Sequence, residues 1–465
     1  MEPSIQEEAM KSFYLRGVCL VLGLVGLVQP LTAAEPFGAA SLLPMPSTQE
    51  PQAIHPLVTP TSFGGQEEIS PSDQAPAFAP PPVGLSPDYQ QAMKGAWDGA
   101  GCTDGSCGIG DCGRPCPRWA VWSAGLILGR ANQCDRPVSI DSTTLQNVMS
   151  TNNVEQDWSG GFEVGAAWIM PNCCNALSVS YWGLFPTNQS AYVNAANYAT
   201  GVRPALANID RLAYNDGTTT DDVFNWMTTA SGAHRVAMGQ NYNNVEINFL
   251  GNTQAWGLTP FGSGCGGGCN GCNPCGACGP SCWQFGWLAG LRYFQYNEYF
   301  LFQSDEDDTT FNDAGDLDEL SYRINTTNNL WGFQFGGQGA WYVCDCFSFY
   351  GAGKFGVYNN NITSYQYLSG QAGDAYINAG DFNGTSVRYS NSRNALAGVG
   401  QFDLGARYQL GCHWSLYGGY RVVAISGVAT APSQIPQNWA NPVNDICANE
   451  TVILHGAYLG AQFAW

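Results

Sequence analysis

Cysteine is the residue type in this chain that first suggests chemistry. Cys265, Cys269, Cys272, Cys275, Cys278 and Cys282 recur among glycines, as do Cys102, Cys107, Cys112 and Cys116. The run Cys272-x2-Cys275-x2-Cys278-x3-Cys282 has the spacing of a bacterial iron–sulfur ligand set. Cys265 and Cys269 extend the ladder past that motif, and the N-terminus reads as an export signal, which argues for an oxidising compartment. There dense cysteines are more often disulfides; bonds to the wall or to neighbouring proteins are the other use, and neither metal nor cofactor is expected. Of 18 cysteines, one (Cys19) lies in the signal, leaving an odd number, so at least one thiol is free or intermolecular. Asp305, Glu306, Asp307, Asp308, Asp313, Asp316, Asp318 and Glu319 form an acidic run whose oxygens suit Ca²⁺. Thr310 stands where an EF-hand loop needs glycine, and a solvated loop is the plainer reading. Four histidines limit acid–base chemistry: His55, His234, His413 and His455. Only His234 shares a loop with carboxylates (Asp210, Asp221, Asp222), in no catalytic pattern, so no enzyme is expected.

The elements that carry these residues are strands. From Trp331, odd positions read Trp331, Phe333, Phe335, Gly337, Gly339, Trp341, and even ones Gly332, Gln334, Gly336, Gln338, Ala340, Tyr342. After Cys344-Asp345-Cys346 the alternation resumes with Phe347, Phe349, Gly351, Gly353, Phe355 and Val357 on one face and Lys354 on the other. Period-two alternation across a short turn predicts an antiparallel hairpin. Trp331 and Trp341, ten residues apart on one face, span roughly 25 Å along a membrane normal when tilted, the height of a barrel's apolar belt between its aromatic girdles.

Further strands follow from the same reading: Trp119 to Arg130, with Trp122, Ala124, Leu126 and Leu128 on one side; Phe162 to Met170; Leu177 to Phe185; Val245 to Phe249; Trp283 to about Phe302; Phe402 to Tyr408; Trp414 to Val422; and Thr451 to Trp465. The fold expected is all-β, a closed antiparallel transmembrane barrel of ten strands with both termini periplasmic. Pro186 to Tyr242 reads as a long polar loop, and twelve strands result if it hides another pair. Alternation puts Glu163, Glu246, Arg292, Lys354, Asp403, Arg407 and Arg421 in the lumen. They line a selective pore, or they pair across a narrow interior and fill it; Asp403 and Arg407, four apart, could belong to such a network.

Composition agrees. Charged residues make up 12% of the chain, half the globular norm of about 25%. A net charge of −20 argues against nucleic acid as a partner and favours cations at the surface. Residues 1–34 read as a cleaved signal peptide, with Lys11 and Arg16 before an apolar core and Thr32-Ala33-Ala34 at its end. Residues 35–117 are a Pro-rich tether with a Cys/Gly-rich end, and 118–465 the barrel. Outside the tether and the periplasmic turns only Cys134 and Cys447 remain, one near each side of the closure seam, and they are expected to form a disulfide. Leu459, Ala461, Phe463 and the terminal Trp465 resemble the signal by which barrel-assembly machinery recognises its clients.

Gly290-Leu-Arg-Tyr-Phe294, the hairpin, the Cys-Gly segments and the Leu454-His455-Gly456…Gly460…Phe463 ending together resemble the β-barrel porin family expanded in planctomycete-type bacteria. The resemblance covers about Arg118 to Trp465 and implies an outer-membrane barrel, with no catalytic residues. Expected partners are outer-membrane lipid, barrel-assembly machinery, and cell-wall or cysteine-rich neighbours. Two alternatives remain open: a structural or surface-display barrel anchored through its cysteine-rich periplasmic segments, and a secreted, soluble, disulfide-rich β protein whose aromatics face one another in a core.

Overall fold

The computed structural model describes residues 117–131, 135–154, 158–259, 282–311, 316–344, 346–411, 413–439 and 446–465. The signal peptide, the tether, Cys134, Cys265 to Cys278 and Asp313 lie outside these residues.

Ten antiparallel strands form the wall: β1 Trp119–Arg130, β2 Ser159–Ile169, β3 Asn175–Asn194, β4 Ala233–Gly251, β5 Cys282–Asp305, β6 Leu320–Cys344, β7 Phe347–Gly370, β8 Arg388–Gln409, β9 Trp414–Val428 and β10 Glu450–Ala464. Each pairs with its sequence neighbours, and β1 pairs with β10 from Ala120↔Ala464 to Arg130↔Leu454, so the sheet closes. Closure leaves no edge in lipid, where an unpaired backbone group is costly. A two-residue strand, Gly373–Asp374, adds to the end of β7.

The outward face is the expected one. Phe333 is 76% exposed and Leu459 73%; Phe335 and Trp287 also point outward. These side chains do not meet in a core, which removes the soluble alternative. Trp283, Trp341 and Phe349 stack at the end carrying the C-terminus, and Tyr293 packs on Trp331 at the other side of the belt.

One expectation needs correction, and two further features of the wall were not expected. Residues 186–242 are not one loop. Phe185 and Pro186 sit in a bulge, where the β3–β4 register slips between Leu184 and Thr187, and β3 continues to Asn194. Proline lacks a donor and is tolerated within a sheet at such bulges, so here it marks a kink, not a strand end. Second, the apolar set of β1 faces inward: Ala124, Leu126 and Leu128 are buried while Val121 and Ile127 are exposed. Third, β5 to β7 run 24, 25 and 24 residues, where about 9–11 cross a bilayer. Their excess rises past the belt at the far end.

That excess supports a cap. Residues between β1 and β2 and between β3 and β4 form a small sheet, Pro137–Asp141, Asn147–Ser150 and Val202–Pro204. A second joins Leu212–Asn215, Thr220–Asp222 and Tyr376–Ile377. Leu212, Tyr214, Met227 and Trp439 pack with the wall's Phe300, Phe302, Tyr322 and Ile324 in one apolar core. In β5 to β7 strand parity is unbroken here, but polarity inverts: inward positions become apolar and outward ones polar.

Candidate functional site: the occupied lumen

Glu163, Glu246, Lys354, Asp403, Arg407 and Arg421 line one cavity, Arg292 is buried beside Glu246, and most of these charges are neutralised by one another. Lys354 Nζ reaches the Glu246 carboxylate at 3.0 Å, and Arg292 Nε stands 3.7 Å from it. Gln334 and Asn248 donate amide hydrogens to the same carboxylate at 2.8 and 3.1 Å. Arg421 donates to Asp403 at 2.6 Å and to Glu163 at 2.7 Å. The Trp122 indole donates to Glu163 at 3.2 Å, so the inward turn of β1 has an electrostatic use. Charges removed from water persist only when paired and hydrogen-bonded, which these contacts provide.

The Asp403–Arg407 pairing does not form, because Arg421, directly across from Asp403 on β9, takes the carboxylate. Arg407 instead lies with its guanidinium carbon 5.4 Å from the Tyr350 ring. It also meets the segment after β4: a β-carbon on Gly257, whose φ is +67°, would coincide with the Arg407 guanidinium. Glycine is required there on both counts.

Above this network the bore is apolar, filled by Leu126, Leu128, Trp182, Phe294, Leu330 and Val423 among others. Higher still is an ion pair that the sequence reading missed. Arg130 Nη1 lies 2.6 Å from Glu298 Oε1, with side chains 4% and 1% exposed, and also donates to the Tyr296 hydroxyl at 3.1 Å. The signal was present: Arg130 shares parity with Trp122 to Leu128, and Glu298 with Arg292.

Both ends of the bore are filled. At the end carrying the C-terminus, the Gln254 and Ala255 carbonyls accept from the Tyr342 hydroxyl and the Gln338 amide, each at 2.7 Å. The Gly257 carbonyl accepts from Gln462 at 2.6 Å. At the far end, the segment after β9 enters the barrel. Asn328 donates to the Ala429 carbonyl at 2.8 Å and accepts the Ala429 N–H at 2.9 Å, and Glu298 accepts the Ala431 N–H at 2.7 Å. Between the lower filling and the charge network a cavity of about 150 Å³ remains.

The other candidate chemistry is placed as follows. His234 is fully buried on β4, its Nδ1 2.8 Å from Ser139 Oγ and its Nε2 2.6 Å from the Met227 carbonyl. Asp222 accepts the Asn225 N–H as a helix cap, and Asp221 accepts from Asn225. The histidine is therefore committed to packing the cap. His455 lies on the outward face of β10, 2.5 Å from the Tyr420 hydroxyl, and His413 Nδ1 is 2.7 Å from the Ala464 carbonyl. Asp305, Asp307 and Asp308 gather carboxylate oxygens within 4.8 Å of one another at the far end. Cys173 and Cys174, in the β2–β3 turn, are disulfide-bonded, and Cys447 is an exposed free thiol. Its expected partner, Cys134, lies outside the described residues.

The family described as Putative beta barrel porin-7 (BBP7) matches residues 131–465. No curated protein matches the chain. Among solved structures, the outer membrane protease OmpT of Escherichia coli aligns at 11% identity and a TM-score of 0.31, over 76% of this chain and 97% of that one. The translocator domain of the autotransporter NalP of Neisseria meningitidis aligns at 8% and 0.29, over 81% and 95%. The toluene transporter TodX of Pseudomonas putida aligns at 6% and 0.17, over 75% and 89%. A protease, a translocator and a transporter are thus all distant likenesses, and these likenesses do not choose between their functions.

Proposed function

Because this chain belongs to the Putative beta barrel porin-7 (BBP7) family, we propose that it is an outer-membrane barrel of porin type that rests closed. The cap faces outward and both termini face the periplasm. What carries the closed state is the Ala429 segment held across the bore by Asn328 and Glu298. Backbone pinned in this way by buried amides and a buried carboxylate does not leave without breaking them together. Passage of ions or small solutes then requires that segment and the Gln254–Gly257 segment to move. The acidic far end favours cations over anions among whatever enters.

The test is conductance in planar bilayers. The wild-type chain is expected to show no large, stable channel, and N328A to show brief openings. A steady large conductance in the wild type would refute the closed state.

No catalysis is part of this reading: among the described residues, His234, which shares its region with Asp221 and Asp222, is spent on structure.

A further inference from the structure

We propose that the lumenal cavity is a binding site for a small amphipathic carboxylate, with Arg407 as its anchor. The claim goes beyond closure or conduction, and it rests on the closed-state reading in one respect: a ligand enters only when the Gln254–Gly257 segment moves off the wall.

The charge count of the network points to an anion. Its carboxylates are Glu163, Glu246 and Asp403; its cations are Lys354, Arg292, Arg421 and Arg407. Lys354 and Arg292 share Glu246, and Arg421 holds both others. Arg407 is left over. Among the described residues it has no ion-pair partner, and its Nε is buried without a hydrogen-bond acceptor. The Tyr417 hydroxyl, on the same cavity, is also buried and unpartnered. Both atoms are covered in the resting bore, and the Gly257 backbone lies on the Arg407 guanidinium, so they become donors for a ligand, with one net positive charge, when that segment shifts. A carboxylate matches the planar guanidinium fork in shape as well as sign.

The apolar part of the lining fixes the rest of the ligand. Leu250, Leu258, Leu288 and Trp256 border the same space and supply the apolar wall that small-molecule sites combine with a few placed polar groups. A cavity of about 150 Å³ is of the size that admits a benzene-sized molecule. The occupant is therefore a monoanion with a ring or a short apolar chain, not a bare inorganic ion.

Calorimetric titration of the full-length protein in detergent with benzoate tests this, with benzamide and chloride at matched ionic strength as controls. Benzoate is expected to bind saturably while benzamide and chloride do not compete. R407Q, shown to be assembled by its heat-dependent gel mobility, is expected to lose about tenfold or more in affinity, the loss of one charged hydrogen-bonded contact. Absence of saturable benzoate binding, equal displacement by chloride, or unchanged affinity in R407Q would each overturn the proposal. If R407Q does not assemble, R407K decides the matter: it keeps the charge and loses the fork, so weaker benzoate binding is expected, and unchanged binding overturns the site.

Discussion

Arg130 and Glu298 show what single residues do in this lumen. Both side chains are almost wholly buried and 2.6 Å apart, so each makes the other tolerable where it is. R130M, which strands the glutamate, is expected to cost about 3–5 kcal/mol of barrel stability. The double variant R130M/E298Q removes both charges while keeping an acceptor for the Ala431 N–H, and should recover most of that. Urea unfolding in detergent, followed by loss of tryptophan signal, measures both; a double variant as weak as the single one would show that the pair is not the unit. At this scale the sequence was largely legible. Strand parity alone placed Glu163, Glu246, Arg292, Lys354, Asp403, Arg407 and Arg421 inside. Parity says which side a residue faces, not whom it meets. Arg421 took Asp403 because the β8–β9 register sets them opposite, and register is a property of two strands, not one.

Among the elements, the long strands and their loops hold the least legible part. Period-two alternation of aromatic and small residues announces lipid, and it fades where β5 to β7 leave the belt. There apolar residues move to inward positions such as Phe300, Phe302, Tyr322 and Ile324 and the pattern resembles polar loop. Pro186 strengthened that impression at its bulge. The acidic turn after β5 yields a prediction of its own. Burial first, and then neighbouring carboxylates, raise Glu306 and Asp318 above their ordinary ionisation ranges. A raised folded pKa means that the folded turn binds more protons than the unfolded one, so stability is lost as pH climbs from the ordinary values of 4.5 and 3.8 through the raised ones. Asp308, held low by the Thr310 N–H and hydroxyl, acts the opposite way and only below 3.8. Amides of residues 306–311, corrected for intrinsic exchange, should therefore be better protected at about pH 4.5 than at about pH 7. Equal or reversed protection would show that the carboxylates are not loading the turn.

For the whole molecule, closure and the C-terminus belong together. Trp465 stacks on Phe463, and its carbonyl accepts the N–H groups of Arg118 and Trp119 at 2.6 and 3.1 Å, so the last residue also fastens the first strand. F463A combined with deletion of Trp465 is expected to lower the membrane-assembled fraction several-fold in cells. If refolding into detergent micelles is spared, the residues serve recognition by assembly machinery; if both fall together, they serve the seam alone. The ten strands and the apolar belt could be read from the chain, because lipid imposes a repeating pattern on each strand separately. The packed bore could not, because it is made by segments distant in sequence: Gly257 on Arg407, Ala429 on Asn328, Trp439 on Tyr322.

That packed bore has a mechanical consequence. A hollow cylinder of sheet flattens under lateral load, since only strand pairing resists bending. Dense protein interiors compress very little, and here the filling is bonded to opposite walls. The surrounding bilayer therefore meets a stiff rod of fixed circumference, and changes in lipid tension should pass around it without altering its girth.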